Sequence, residues 1–256
     1  MFSSLIEQLP SLLLGLPIVL LSLSVHECAH GYVAYKLGDP TARNLGRLTL
    51  DPLKHIDPIG FICMVLFHVG WANPVPIVTR NFKNPRRDMA ISASAGPLSN
   101  ILLALVFAAL LRLSLWGVTS LCGEDMNGVL ISLFSGTGFE VSRTFTLLAI
   151  VSYMLFLGVI INFSYALFNL IPVPPLDGSR IFYVFLPTKW YFGIMKYERI
   201  IAIVMLVGLW TGMLTLPLNW AVGGLQNGAF WLFGIHSGSP AAYALRAVRY
   251  YVLSFI

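Results

Sequence analysis

Two histidines and a glutamate stand close together near the start of the chain, at His26, Glu27 and His30, in an H-E-x-x-H pattern. On a helix, residues four apart lie on the same face, so both imidazoles can reach one metal ion. Zinc bound in this way activates water, and an adjacent carboxylate can act as the base. The spacing therefore predicts a hydrolytic zinc site with His26 and His30 as ligands and Glu27 as the catalytic group.

The surroundings of this pattern strengthen the prediction. The three residues lie within the apolar run 12–37, where ionisable side chains are expensive to bury in lipid. The alternative is a cluster of polar side chains that holds no metal. Because such a cluster would carry the same burial cost without a function, we favour the metal site.

A catalytic zinc normally takes a third protein ligand and keeps one position open. Three other histidines could supply that ligand: His55, His68 and His236. Asp177 is the better candidate, since it is an acidic residue in an apolar context on a proline-rich turn. Asp177 could instead cap a short following helix over 179–186. Spacing alone leaves both roles open.

The composition indicates an integral membrane protein. Of the 256 residues, 57% are hydrophobic and 11% are charged, against about 25% charged in soluble domains. The mean hydropathy is +0.79. The net charge of +5 is better explained by basic loops at a membrane surface than by nucleic-acid binding. The cysteines form no C-x-x-C pair, so disulfides are not expected, and Cys28 points off the ligand face.

Hydropathy predicts an all-α polytopic bundle of about four to six transmembrane helices, with a short re-entrant β-hairpin after the first span. The hairpin is expected in the turn-rich region of approximately 40–70, where residues 47–50 alternate in polarity. There is no internal repeat or linker, so residues 1–256 are predicted to form a single domain. The predicted spans are 12–37, 89–113, 144–170, 200–218 and, as a short or re-entrant candidate, 221–235.

The distribution of basic residues predicts the orientation in the membrane. Residues 36–87 contain eight Lys or Arg, residues 113–142 contain none, and residues 171–199 contain four. Because cytoplasmic loops carry the excess of positive charge, the first and third of these regions are expected in the cytoplasm. His26 and His30 then lie in the cytoplasmic half of their span, and Asp177 follows a span that ends on the same side.

Several stretches resemble the site-2 protease family of intramembrane zinc metalloproteases, in its compact prokaryotic form without a PDZ or CBS domain. The strongest are Val25-His26-Glu27-Cys28-Ala29-His30-Gly31 and the segment 169–178, which reads Asn-Leu-Ile-Pro-Val-Pro-Pro-Leu-Asp-Gly. Residues 50–60 and 81–100 carry weaker resemblance. The resemblance as a whole covers roughly residues 12–183, most of the chain.

The resemblance implies roles for particular residues. His26, His30 and Asp177 match the family's ligands for one catalytic Zn²⁺, and Glu27 matches its catalytic glutamate. Asn169 matches an asparagine that holds the substrate backbone or the oxyanion. The polar hairpin resembles a re-entrant β-loop that presents the unwound substrate as an added strand. Residues 96–100 resemble a G-x-x-x-N packing motif, which simple helix contact explains equally well.

The family resemblance also implies a setting. The expected partners are the lipid bilayer and a membrane-protein substrate, which is cleaved within or near its transmembrane segments. The expected location is a prokaryotic inner membrane, with the active site toward the cytoplasm. Since this chain has no room for a PDZ or CBS domain, gating by such a domain is either absent or supplied by a separate regulatory protein.

Two other functions use the same residues. A zinc transporter would need polar side chains along more than one span, yet Asn100 and Asn162 are the main ones present. A pseudoprotease scaffold would have no need of both the H-E-x-x-H pattern and Asp177.

His55 and Asp57 could line a substrate path. We favour a simpler interpretation, in which Asp51 and Asp57 form turns before prolines and His55 is solvated or interfacial.

Overall fold

The computed structural model describes residues 2–67, 71–122, 143–187, 190, 193–194 and 196–255, and these residues are largely α-helical. The first long helix is α1 (Phe2–Lys36), followed by α2 (Thr41–Asn44) and α3 (Pro58–Phe67). The remaining helices are α4 (Pro85–Cys122), α5 (Arg143–Asn169), α6 (Asp177–Phe182), α7 (Glu198–Trp210), α8 (Thr215–Leu232) and α9 (Pro240–Phe255). Short 3₁₀ turns lie at Pro52–Lys54, Thr79–Asn81 and Tyr183–Phe185.

Three of the described helices are long and apolar enough to cross a membrane. They comprise Leu12–Lys36 of α1, Pro85–Leu121 of α4 and Arg143–Asn169 of α5. Each contains at least 18 residues of high hydropathy, about the length that a bilayer core requires. The first three predicted spans therefore each coincide with one of these helices.

The prediction for the C-terminal spans is not borne out. The predicted span 200–218 is wrong as one helix, because α7 ends at Trp210 and α8 begins at Thr215. Gly212 lies between them with φ +78°, a left-handed conformation that ends a helix. The predicted span 221–235 overlaps α8. Since neither helix is among the three candidate spans of the described residues, the count of four to six is not confirmed.

The predicted β-hairpin is also wrong. Among the described residues of 40–70 there is no strand, and the only pairing there is an isolated antiparallel bridge from Ile56 to Ala72. Pro52 and Pro58 cannot donate to a ladder. Side chains take the neighbouring backbone groups instead, as Asp51 accepts from the N–H of Leu53 and His55 contacts the carbonyl of Thr49.

The chain divides into two compact units. The first comprises Met1–Val19, Leu103–Ile161 and Gly223–Ile256, as far as they are described. Within it the hydroxyls of Ser114 and Ser152 are 2.7 Å apart, which joins α4 to α5. The second comprises Leu20–Leu102 and Asn162–Val222, and it contains every residue of the predicted site.

A buried carboxylate fastens the loop that follows α1. Asp39 is fully buried and accepts hydrogen bonds from the backbone N–H of Val78 at 2.7 Å and the side-chain amide of Asn81 at 2.7 Å. The backbone and hydroxyl of Thr41 also donate to it. Burial raises the pKa of the Asp39 carboxyl, but the hydrogen bonds from Thr41 and Asn81 outweigh it and hold the pKa below its usual value.

We expect Asp39→Asn to lower the free energy of unfolding by about 1–3 kcal/mol at pH 7, because an amide nitrogen would face one of the buried donors. The native carboxylate has the depressed pKa, so its contribution is complete above the unfolded pKa and is lost as the pH falls through the folded one. The difference between the proteins should shrink on acidification. Thermal unfolding in detergent micelles, with Asp51→Asn as the exposed control, measures both effects.

Candidate metal centre

His26 and His30 lie on one face of α1, as the spacing predicts, and both are buried. Their Nε2 atoms are 3.0 Å apart, and the rings meet edge to face with centroids separated by 4.6 Å. Both rings therefore direct the same nitrogen toward one point beside α1.

Asp177 reaches this point from a distant part of the chain. Its Oδ2 lies 3.1 Å from the Nε2 of His26 and 3.1 Å from the Nε2 of His30. Prolines at 172, 174 and 175 follow the end of α5, and α6 begins at Asp177 itself. The N-cap of α6 is Leu176, without a side-chain hydrogen bond, so the capping role for Asp177 is wrong.

The charge of Asp177 follows from its neighbours. Burial raises the pKa of its carboxyl, but the imidazoles of His30 and His26 outweigh burial and hold the pKa well below its usual value. The side chain is therefore a carboxylate at neutral pH. A single anionic oxygen beside two imidazole nitrogens is a donor set that suits zinc.

The arrangement passes two tests of fit for a metal ion. The three donor atoms, one from each residue, lie within 4.8 Å of one another. Ligand atoms around a tetrahedral zinc with bonds of about 2.0–2.2 Å are separated by about 3.3–3.6 Å, so the three donor atoms, 3.0–3.1 Å apart, would have to move apart by about 0.2–0.6 Å around the ion. The second observation is the space at Gly96 of α4, where an added Cβ would lie 2.6 Å from the Nε2 of His26 and would also strike the Nε2 of His30.

Ser92 and Asn100 of α4 hold the far sides of the two rings. The Nδ1 of His30 lies 2.8 Å from the carbonyl oxygen of Ser92, and the Nδ1 of His26 lies 2.5 Å from the Oδ1 of Asn100. The sequence places Asn100 in a G-x-x-x-N packing motif and indicates no role for Ser92. Their spacing from Gly96, four residues on either side, was the signal that one helix face carries all three.

Glu27 is buried and follows His26 directly. Its Oε2 accepts a hydrogen bond of 2.8 Å from the backbone N–H of Val75, which lies in the described segment after α3. Its other oxygen, Oε1, makes no hydrogen bond with a described residue. The carboxylate is thus held by one oxygen and keeps the other for a further partner.

Asn169 is the last residue of α5, and its side-chain amide donates to the carbonyl of Tyr165 at 3.0 Å. None of the hydrogen bonds found among the described residues joins it to His26, His30 or Asp177. Its predicted contact with substrate stays a prediction.

The remaining candidates have structural contacts. Asp51 and Asp57 accept from the backbone N–H groups two and three residues ahead, at 3.1 and 2.7 Å, which confirms them as turn formers. Of the two interpretations of His55, solvated or interfacial, the first is wrong, since the side chain is fully buried with its Nε2 2.9 Å from the carbonyl of Thr49. The interfacial interpretation stays a prediction. Cys28 is half-buried and outside the cluster of metal-binding groups found among the described residues. His68 lies outside the described residues.

Comparison with known families agrees with the resemblance read from the sequence. The model of peptidase family M50 matches residues 14–215, and the chain therefore belongs to this family, which is the site-2 protease family. The match includes the H-E-x-x-H segment of α1 and Asp177.

Two related proteins match part of this chain in sequence. A Bacillus subtilis protein named "Putative zinc metalloprotease YwhC" is 40% identical over 164 residues, 64% of this chain and 64% of that protein. A Mycolicibacterium smegmatis protein named "Putative zinc metalloprotease Rip2" is 26% identical over 164 residues, 62% of this chain and 52% of that protein. The chain thus spans less than two thirds of the length of these relatives. No solved structure gives a significant match.

Proposed function

We propose that this chain is a zinc-dependent endopeptidase that hydrolyses peptide bonds within or near transmembrane segments of other membrane proteins. The observation that carries the proposal is the meeting of His26, His30 and Asp177 at one point beside α1, a helix apolar enough to cross a bilayer. Membership of peptidase family M50 and the names of two relatives support the same chemistry.

In this proposal His26, His30 and Asp177 hold one Zn²⁺. Zinc supplies a Lewis acid that polarises the scissile carbonyl and lowers the pKa of water. Two neutral imidazoles and one carboxylate leave a net positive charge on the ion, which favours both effects. They also leave a ligand position open, as hydrolysis requires.

Glu27 is assigned the role of general base. Its Oε2 is held by the N–H of Val75, so Oε1 is the atom that takes a proton from the attacking water. The same oxygen can then deliver that proton to the leaving amine. Asn169 is assigned to the substrate backbone or the oxyanion, on the basis of its match to the family motif.

The depth of the site argues for a substrate that also lies in the membrane. His26 and His30 lie ten and six residues before Lys36, the end of the candidate span Leu12–Lys36, which is about 9–15 Å along a helix. A peptide bond reaching them must enter the bilayer or its interface. We assign the site to the cytoplasmic side of a prokaryotic inner membrane and the whole chain to one protease domain.

The ligand assignment predicts that Asp177→Asn lowers zinc affinity more than about 100-fold, beyond the 10–100-fold typical of outer-shell changes. Asn keeps the shape of the side chain but removes the anionic ligand. Zinc content by mass spectrometry and affinity by chelator competition, on protein purified in detergent, measure the loss. Asp57→Asn is the control, because that carboxylate caps α3.

Unchanged zinc affinity in Asp177→Asn would contradict the site. For the activity, purified protein in proteoliposomes is incubated with solubilised bacterial membrane proteins, and new peptide termini are identified by mass spectrometry. Zinc-dependent termini within apolar segments support the proposal. Zinc flux across the vesicle wall without such termini would instead indicate a transporter.

A further inference from the structure

Three residues of α4 form a row that faces the two histidines of α1. Ser92, Gly96 and Asn100 are spaced by four, which places them along one helix face. Ser92 contacts His30, Asn100 contacts His26, and Gly96 between them leaves room for both rings. We call this row the α4 face.

The contact of His30 determines its tautomer. Its Nδ1 lies 2.8 Å from the carbonyl oxygen of Ser92, which can only accept a hydrogen bond. Nδ1 must therefore carry the proton, and in the neutral ring Nε2 keeps its lone pair. The hydroxyl of Ser92 also donates to the carbonyl of His30 at 3.0 Å, which fixes the two helices at this level.

His26 contacts a side chain instead of a carbonyl, so its tautomer depends on how the amide of Asn100 is turned. One end of that amide lies 3.3 Å from the backbone carbonyl of Ser22. Because a carbonyl accepts only, this end must be the nitrogen. The Oδ1 of Asn100 then lies 2.5 Å from the Nδ1 of His26. Since this oxygen can only accept a hydrogen bond, Nδ1 must carry the proton and donate it.

Asn162 of α5 supports this orientation. Its Oδ1 accepts from the amide nitrogen of Asn100 at 2.8 Å, and its own nitrogen donates to the hydroxyl of Ser22 at 2.9 Å. Asn100, Asn162 and Ser22 are all 0% exposed. Two amides are expensive to bury in an apolar interior, and a helix contact alone would need only small residues.

We propose that Asn100, oriented by Asn162 and Ser22, is a positioning residue that keeps the proton of His26 on Nδ1 and so presents the Nε2 lone pair to the metal. The proposal rests on the function proposed above. It concerns a different residue, since Asn100 contacts the far side of the His26 ring and touches neither the metal position nor the substrate.

The alternative is that Asn100 only packs α4 against α1. Packing predicts that metal affinity changes in step with fold stability. Positioning predicts that metal affinity depends on the acceptor for His26 and not on fold stability, and two substitutions at Asn100 distinguish these alternatives.

Asn100→Leu removes the acceptor for His26 and keeps a side chain that branches at Cγ. Zinc affinity should fall about 10–100-fold, as for outer-shell partners of metal-binding histidines. Fold stability should also fall, because the buried carbonyl of Ser22 and the Oδ1 of Asn162 lose their donor.

Asn100→Asp keeps an acceptor oxygen for His26 whether or not the carboxyl is protonated, but it loses an amide donor to Ser22 and Asn162. Its stability should fall, while its zinc affinity should stay within about threefold of the parent, well short of the outer-shell loss. A loss of stability with zinc affinity retained is the result that packing does not produce.

The test measures zinc affinity by chelator competition, thermal unfolding in micelles, and the visible absorption of the Co²⁺-substituted protein, which reports ligand geometry. Ser152→Ala is the control, since it removes another buried interhelical hydrogen bond to α4 and should alter stability alone. If Asn100→Leu does not fold, Asn162→Leu is measured in its place. Because Asn162 acts on His26 only through Asn100, we expect a smaller fall in zinc affinity, of about threefold or more.

Parallel loss of affinity and stability in both Asn100 variants, or unchanged affinity and Co²⁺ spectrum in Asn100→Leu, would overturn the proposal. His26→Ala is measured beside them to keep the two proposals distinguishable. If the parent binds zinc and His26→Ala does not, the metal site stands whatever Asn100 does. If the parent binds no zinc, the proposed function itself fails.

Discussion

Glu27→Gln should abolish peptide hydrolysis and leave the zinc content unchanged. The amide oxygen of glutamine can still accept the hydrogen bond from the N–H of Val75, so the side chain stays in place. The amide nitrogen that replaces the other oxygen cannot take a proton from water. Loss of a positioned general base costs about 100- to 10,000-fold in rate.

The measurement compares new peptide termini produced in proteoliposomes by the parent and by Glu27→Gln, together with zinc content and thermal unfolding. Cys28→Ala is the matched control, because Cys28 is the next residue on α1 and is outside the metal cluster found among the described residues. Cleavage at the parental rate by purified Glu27→Gln would exclude Glu27 as the base. Loss of zinc in the same variant would show a ligand or structural role instead.

Gly96→Ala should destroy the metal site through a single methyl group. The added Cβ would lie 2.6 Å from the Nε2 of His26, closer than carbon and nitrogen normally approach, and would also meet the Nε2 of His30. The rings cannot easily move away, since their Nδ1 atoms are held by Ser92 and Asn100. Zinc affinity should fall by about 100-fold or more, at or beyond the upper limit for outer-shell changes.

Gly117→Ala is the control for this effect. Gly117 lies on the same helix, and its added Cβ would meet Leu148 at 3.6 Å, an ordinary contact. Both substitutions exchange glycine for alanine within a helix, which by itself favours the helix by about 1 kcal/mol. Stability should therefore hold or rise in Gly117→Ala with zinc affinity unchanged. Equal zinc affinity in the two variants would mean that Gly96 does not border the metal position.

Much of the site could be predicted from local pattern. The pair His26 and His30 needed only the helical repeat, and the membrane setting needed only composition and the length of apolar runs. The local pattern left Asp177 open between ligand and helix cap, and the structure supports the proposed ligand role by placing its carboxylate 3.1 Å from both rings. Local sequence is compatible with either role, and only the approach of a distant segment distinguishes them.

The errors have a common cause. A polarity alternation at 47–50 favoured a strand, but aspartates and prolines form turns directly after it. The aspartate side chains accept from backbone N–H groups that a ladder needs, and the prolines have no N–H to donate. The apolar run 200–218 favoured one span, but Gly212 ends α7 inside it. In both regions a few residues with strong backbone preferences outweighed the periodicity of the surrounding sequence.

The sequence by itself determined that two histidines with the spacing of metal ligands and an adjacent glutamate lie in an apolar helix. Those properties depend on spacing along one helix and on the cost of burying polar groups, which are both local. Tertiary structure alone decided the rest: that Asp177 joins His26 across 151 residues, that Asn100 reaches the same ring across 74, and that Gly96 leaves space between them. A helix in lipid can be apolar on every face, so periodicity does not say which face meets which neighbour, and only the packed helices show it.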